Sequence, residues 1–148
     1  MARPRRRGDR PTGVTDLLVL DADGVSKAAS GDRSVQAWLE RARELDADVV
    51  VSAVTVAEVV RGVARDAQLN RVLAAADVRP VNEPLARRAG QLLGRAGSDS
   101  TIDAFVAATA LTLLDGEGPT GRCVLLTSDP HDLAALLSEQ AAIRIIAV

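Results

Sequence analysis

Acidic residues follow several apolar segments of this sequence. Asp21 closes the segment DLLVLD, and Glu58 comes shortly after VVVSAV. Asp103 lies in STIDAFVAATAL, and Asp129 closes CVLLTSD. If these side chains lie close together, their negative charges repel one another strongly unless a cation neutralises them. The pattern therefore favours a metal centre, provided that the fold brings the four acids to one place.

Only oxygen ligands are abundant enough to build such a centre. The sequence has a single histidine, His131, and a single cysteine, Cys123, so a zinc site of nitrogen and sulfur ligands is not favoured. Oxygen ligands select hard ions, here Mg²⁺ or Mn²⁺. These ions acidify a bound water and stabilise charge on a phosphate. The chemistry indicated is hydrolysis of a phosphodiester bond.

Helix capping is the alternative explanation of each acid taken singly. Asp and Glu are enriched at helix starts, where they bond to free N–H groups. Thr55 with Glu58, and Ser100 with Asp103, both have the spacing of a capping box. Asp129, ahead of a proline, is equally typical of a loop or cap. Only convergence of the acids distinguishes a site from a set of caps.

The segments between the acids predict that they converge. Short apolar runs with few charges are typical of strands buried on both faces of a sheet. These strands are predicted at 16–21, 47–54, 122–129 and 143–148, with a weaker one at 77–81. Amphipathic stripes between them predict helices. The apolar members of these stripes are Val35, Trp38, Leu39, Ala42 and Leu45; Val56, Val59, Val60 and Val63; and Leu85, Ala89, Leu92, Leu93 and Ala96.

Alternating strands and helices favour an α/β fold, a three-layer α-β-α domain with a central parallel sheet of four to five strands. Working groups of such sheets gather outside the carboxyl ends of the strands. The domain is predicted over 16–148, since 148 residues suit one core. Residues 1–15 are predicted to be a basic, disordered leader, with an arm for nucleic acid or an acidic partner as the alternative.

Charge and composition narrow the function further. Residues 3–10 hold five arginines and one aspartate, a local charge of +4, so the rest of the chain carries −6 of the total of −2. A net negative charge on the rest of the chain does not favour binding of nucleic acid through a broad positive surface. No apolar run approaches the roughly 20 residues that span a bilayer, and no secretory signal is visible. We predict a cytoplasmic protein without a membrane partner.

Four segments resemble those of PIN-domain ribonucleases and, within that superfamily, of the VapC toxins of prokaryotic toxin–antitoxin pairs. They are LVLDAD, VVVSAVTVAEVVRG, DSTIDAFVAATAL and LLTSDPHDLAAL, in the family's order. The resemblance implies an acidic quartet of Asp21, Glu58, Asp103 and Asp129 that holds Mg²⁺ or Mn²⁺, with Asp21 and Asp103 as the foremost ligands. It also implies an endoribonuclease that acts on RNA, forms a homodimer and is suppressed by a small VapB-type antitoxin.

Neighbouring polar residues extend this set. The resemblance implies that Thr127 or Ser128 makes a secondary contact near the metal. Asp23 and Asp99 are outer acidic candidates. Asp99 qualifies only if the helix of Asp103 extends back far enough to put both on one side.

RNA contacts are predicted to come from arginines rather than aromatic rings. The aromatic side chains, Trp38 and Phe105, both fall on stripes that predict core, so base stacking is not favoured. Arg61 and Arg65 follow Glu58 by three and seven residues and are expected on the helix face opposite the valines. They are candidates for phosphate contacts, with solvated surface arginines as the alternative.

Two other functions are consistent with parts of the sequence. Asp21-Ala22-Asp23-Gly24-Val25 resembles the first motif of haloacid-dehalogenase-type phosphatases, in which the first aspartate is the nucleophile. That chemistry needs a late lysine, whereas Lys27 is the only lysine, and it leaves Glu58 and Asp103 without roles. The other alternative is a non-catalytic PIN-fold module that only binds a partner or nucleic acid.

Overall fold

Five parallel strands form the centre of the protein. The computed structural model describes residues 16–117 and 121–148, and the predicted leader lies outside them. The strands are β1 (Leu17–Leu20), β2 (Asp48–Ser52), β3 (Asp77–Arg79), β4 (Cys123–Thr127) and β5 (Ile143–Ala147). Their order in the sheet is β3-β2-β1-β4-β5, with every neighbouring pair parallel. The predicted parallel sheet is confirmed, including its short third strand.

Helices connect the strands. They are α1 (Ala22–Ser30), α2 (Arg33–Glu44), α3 (Ala53–Val59), α4 (Ala67–Ala75), α5 (Glu83–Ala96), α6 (Thr101–Glu117) and α7 (Pro130–Leu136), with a 3-10 turn at Ala64–Asp66. Asp32 starts α2 by accepting the N–H of Val35 at 3.0 Å, and Gly31 ends α1 in the left-handed conformation. None of the described helices is long and apolar enough to cross a membrane.

The two faces of the sheet carry separate cores. Successive residues of a strand point to opposite faces, so Leu17 and Val19 pack with α5, α6 and α7. Leu18 and Leu20 pack on the other face with α1 and α2, together with partly buried residues of α4. Both faces are covered, which confirms the three-layer α/β architecture.

The register of the strands decides which residues emerge together at the carboxyl edge of the sheet. Leu20, the last residue of β1, pairs with Val51 on one side and with Leu126 on the other. The residues that follow, Asp21 and Thr127 among them, therefore emerge side by side at the carboxyl edge of the sheet. Both of these polar side chains are buried.

The start of α3 differs from the prediction. Strand β2 ends at Ser52, whose hydroxyl accepts the N–H of Val54 at 3.3 Å, so Ala53 and Val54 are helical rather than extended. Ser52 is thus the N-cap, and the predicted capping box of Thr55 with Glu58 is wrong. Thr55 is fully buried inside the helix, and its hydroxyl has no hydrogen-bond partner among the described residues. The sequence pattern did not separate the two alternatives, because an apolar run with a serine in it is consistent both with a continuing strand and with a strand that ends at a helix N-cap.

The end of α3 also comes earlier than the valine stripe predicts. The helix stops at Val59, and Gly62 has a φ of +75°, a left-handed conformation in which a Cβ is strained. Val63 is accordingly 46% exposed rather than part of the core. Leu45, expected on the α2 stripe, is the C-cap of that helix and is 48% exposed.

Candidate active site

Asp21 occupies the centre of the carboxyl edge. One carboxylate oxygen, Oδ1, accepts the N–H of Gly24 at 2.8 Å and so caps α1. The hydroxyl of Thr127 on β4 also bonds to the carboxylate. Burial nevertheless raises the pKa of Asp21, because these two hydrogen bonds and one from the backbone of Asp23 only partly compensate for lost hydration.

Glu58, in the last turn of α3, lies close enough to the other acids to interact with them. Its pKa is raised first by burial and then by the charges of Asp103, Asp21 and Asp23. The guanidinium of Arg61 opposes this shift. Strands β1 and β2 and helix α6 thus bring acids together that are tens of residues apart in sequence.

Asp103 lies in the first turn of α6, as predicted, and faces the same cluster. Burial raises its pKa most, and the charges of Asp132, Asp21 and Asp129 raise it further. Each of these neighbours follows β1 or β4 or begins α7. The fold therefore brings Asp21, Glu58 and Asp103 within electrostatic range of one another, and it brings Asp129 within range of Asp103.

Asp129 combines the two roles that its position suggests. It is the N-cap of α7, where its carboxylate accepts the N–H of His131 at 3.2 Å. Its own N–H donates to the hydroxyl of Thr127 at 3.1 Å, the same hydroxyl that bonds to Asp21. Asp129 is exposed, so a ligand at the acidic cluster has access to it.

Asp132 is a further member of the cluster, outside the predicted quartet. Among charged neighbours it has the largest effect on the pKa of Asp103. Its carboxylate accepts the hydroxyl proton of Ser100 at 2.6 Å. Ser100 was predicted to cap α6 for Asp103, but its hydroxyl is bonded to α7 instead. The sequence signal for Asp132 is its spacing of three residues from Asp129, along the first turn of a helix.

The two outer acidic candidates differ in position: Asp23 lies near the cluster, and Asp99 lies away from it. Asp23 raises the pKa values of Asp21 and Glu58, and it accepts a hydrogen bond from the hydroxyl of Ser128. Asp99 is exposed and precedes α6, which begins at Thr101, so the helical relation to Asp103 that its candidacy required does not exist.

Arg61 and Arg65 lie beyond the end of α3 rather than on a helix face with Glu58, which corrects the predicted placement. They line an open groove of about 610 Å³ that begins at Glu58 and Asp23 and runs along α1. The guanidinium of Arg61 donates to the carbonyls of Ala57 and Val60, at 3.1 and 3.0 Å, and so caps the end of α3.

The donor set suits a hard divalent cation. The charges of Asp103 and Asp21 raise the pKa of Glu58, and the charge of Asp21 raises that of Asp103, in each case after a larger effect of burial, so these carboxylates lie close together. No group of three described His, Cys, Asp or Glu side chains already has the spacing of a metal centre. Because like charges move apart, the carboxylates would have to draw together around an ion. Their chemistry fits Mg²⁺ or Mn²⁺.

A family model for the PIN domain matches residues 18–131, which contain Asp21, Glu58, Asp103 and Asp129. The chain belongs to the PIN domain family. This confirms the predicted fold and goes against the phosphatase alternative. The Asp-x-Asp-Gly motif is explained locally, since Asp21 caps α1 and Lys27 lies in the last turn of that helix, at the far end from Asp21. Among curated proteins, no sequence matches this chain significantly.

Solved PIN-fold structures resemble the chain over most of its length. A toxin–antitoxin complex from Klebsiella pneumoniae is 19% identical with a TM-score of 0.64, covering 88% of this chain and 99% of that one. VapBC2 from Rickettsia felis, bound to a promoter DNA fragment, is 13% identical with a TM-score of 0.64, covering 89% and 98%. FitAcB from Neisseria gonorrhoeae is 22% identical with a TM-score of 0.59, covering 85% and 95%. At these identities the likeness concerns the fold.

Proposed function

We propose that this PIN-domain protein is a metal-dependent endoribonuclease, the toxin of a VapBC-type toxin–antitoxin pair. The observation that carries the proposal is that the fold places Asp21, Glu58 and Asp103 together within the family-matched region, where burial first and neighbouring carboxylates second raise the pKa of Glu58 and of Asp103. Carboxylates that are held close together despite their electrostatic repulsion are typical of functional sites. The non-catalytic binding module has no such observation in its favour.

In this proposal Asp21 and Asp103 hold the ion, Glu58 supports it, and Asp129 completes the set. When bound, Mg²⁺ or Mn²⁺ supplies an acidified water and neutralises charge on the phosphodiester. Glu58 lines the groove and interacts with the cluster, which supports a role in holding the ion and its water. In the same proposal Thr127 helps to hold Asp21 by a side-chain hydrogen bond. Ser128, through Asp23, keeps the rim of the cluster in place.

The substrate proposed for the groove is an RNA strand held by its phosphates. Arg61 and Arg65 line the groove, and no aromatic residue does. Partners are proposed by analogy with the toxin–antitoxin complexes of the same fold: a small VapB-type antitoxin that covers the acidic cluster, and a second copy in a homodimer. A cytoplasmic location follows from this role.

The test is cleavage of RNA by the purified chain. We expect cleavage with Mg²⁺ or Mn²⁺, arrest by EDTA, and loss of at least about 100-fold in rate for Asp21→Asn and Asp103→Asn. Asp99→Asn is the matched control, since Asp99 is an exposed acid just outside α6 and should keep full activity. Folded, metal-loaded protein that cleaves neither structured nor single-stranded RNA would contradict the proposal.

A further inference from the structure

One hydrogen bond ties the beginnings of α6 and α7 together. The hydroxyl of Ser100 donates to the carboxylate of Asp132 at 2.6 Å, across 32 residues of sequence. Both side chains are half-buried. A hydroxyl bonded to a carboxylate at this distance is a strong, charge-assisted hydrogen bond.

This bond joins the two segments that carry acids of the proposed site. Ser100 directly precedes α6, and its carbonyl accepts the N–H of Ala104 at 3.0 Å, so it is part of the first turn that bears Asp103. Asp132 lies in the first turn of α7, which Asp129 caps. The separation of Asp103 from Asp129 therefore depends on the contact between Ser100 and Asp132.

The same bond links Asp132 to the segment that begins another helix. Asp21 and Asp129 spend carboxylate oxygens on the N–H groups of their own helices, whereas Asp132 bonds across to another helix. Asp103 has no side-chain hydrogen bond among those of the described residues. It is held in place by its backbone, and the backbone before it is held by Ser100.

We propose that Asp132 is a positioning residue, which holds Asp103 through Ser100 in the place where a divalent cation is bound. This inference rests on the proposed function and assigns a role that the quartet does not include. Outer partners of this kind typically change metal affinity by about 10- to 100-fold when removed.

Four variants separate positioning from direct ligation. Ser100→Ala removes only the hydroxyl, and Ser100→Thr keeps it. Asp132→Ala removes the carboxylate, and Asp132→Asn keeps an oxygen that accepts from Ser100 while removing the charge. Positioning predicts that the two alanine variants weaken Mn²⁺ binding by about tenfold or more and that Thr and Asn stay close to the wild type. The double alanine variant should be no worse than either single one.

The measurement is the Kd of Mn²⁺ for RNA-free protein, from electron paramagnetic resonance titration, with unfolding curves to show that each variant folds. Glu83→Ala, which removes an exposed acid from the first turn of α5, is the control and should bind as the wild type does. If Asp132→Ala does not fold, Ser100→Ala alone carries the test.

Two results would overturn the inference. If Asp132→Asn weakens binding as much as Asp132→Ala while Ser100→Ala is unchanged, Asp132 is a direct ligand. If Ser100→Ala and Asp132→Ala both bind Mn²⁺ as the wild type does, the bond has no part in the site. Failure of the proposed function is distinct, because then the wild type itself neither binds Mn²⁺ nor cleaves RNA.

Discussion

Gly24 donates its backbone N–H to Oδ1 of Asp21 at 2.8 Å and packs closely against the sheet. A Cβ at this position would be 3.3 Å from the carbonyl oxygen of Leu126 and 3.3 Å from Cβ of Leu20. That carbonyl accepts the N–H of Asp21 at 3.3 Å. The glycine of the Asp-x-Asp-Gly motif thus lets α1 begin directly above β1 with Asp21 as its cap.

Gly24→Ala should therefore displace Asp21 as well as destabilise the fold. We expect a loss of about 1–3 kcal/mol in the free energy of unfolding, because backbone atoms must move, together with weaker Mn²⁺ binding. Gly90→Ala is the control. Gly90 lies within α5 with nothing within 4 Å of an added Cβ, so alanine should stabilise by roughly 0.5–1 kcal/mol and leave Mn²⁺ affinity unchanged. Equal effects of both substitutions would contradict this account.

Asp103→Asn should stabilise the metal-free protein. The pKa of Asp103 is raised, so the folded state binds its proton more tightly than the unfolded state does, and ionisation costs stability. The gain from asparagine should be absent below about pH 4, grow as the pH rises through the raised pKa, and stay constant above it. Each kcal/mol of relieved repulsion raises Tm by about 2–4 °C.

Binding of Mn²⁺ should reverse the order of stability of the wild type and Asp103→Asn. With Mn²⁺ at 100 times its Kd, the wild type gains about 2.7 kcal/mol, while the variant without the ligand gains much less. Thermal unfolding with and without Mn²⁺, over a range of pH, checks both parts. A lower Tm for metal-free Asp103→Asn at pH 7 would show that the cluster is not under repulsion.

Asp66 predicts the opposite dependence on pH. Its carboxylate accepts the N–H groups of Arg61, Gly62 and Val63 at 2.8, 2.7 and 3.2 Å, and these bonds lower its pKa. Its contribution to stability is therefore complete above the ordinary aspartate pKa of about 4 and is lost as the pH falls through the lowered value. Asp66→Asn should lower Tm at pH 7 and converge on the wild type in acid. A difference that is independent of pH would mean that the charge of Asp66 plays no part.

The sheet and the site level were predictable because they follow from short-range patterns. Doubly buried strands appear as apolar runs, and parallel pairing places the residues that follow them at one edge. Asp21 after β1 and Asp129 after β4 could be assigned to the site on this basis alone. Glu58 and Asp103 needed only the further expectation of a helix after each loop.

The features of the fold and the site that could not be predicted each depend on one hydrogen bond or one backbone angle. The hydroxyl of Ser52 decides that α3 starts at Ala53, and the left-handed backbone of Gly62 separates the arginines from the helix. The bond between Ser100 and Asp132 joins segments whose relative position exists only in the folded chain. Strand and helix patterns average over several residues, so they cannot resolve features that one hydroxyl or one φ angle sets.

Arg65 offers the cleaner test of the RNA groove. Arg61 caps α3 with its guanidinium, so Arg61→Ala should weaken RNA binding and also loosen the helix that carries Glu58. Arg65 lines the same groove, is exposed, and makes no hydrogen bond of its side chain among those of the described residues. Apart from a minor electrostatic interaction with Asp66, its loss should therefore act on RNA binding.

We expect Arg65→Ala to weaken binding of uncleavable RNA, assayed with Ca²⁺ in place of Mg²⁺, and to reduce the slope of log K against log salt by about one. Arg61→Ala should reduce the slope by a similar amount and should also lower Tm. Arg65→Ala should keep the Mn²⁺ affinity of the wild type. Arg87→Ala, on the exposed side of α5, is the control for loss of one positive charge and should leave the slope unchanged. Identical slopes for Arg65→Ala and Arg87→Ala would remove the groove from the path of the substrate, because a phosphate contact of Arg65 in the groove must appear as a smaller dependence on salt.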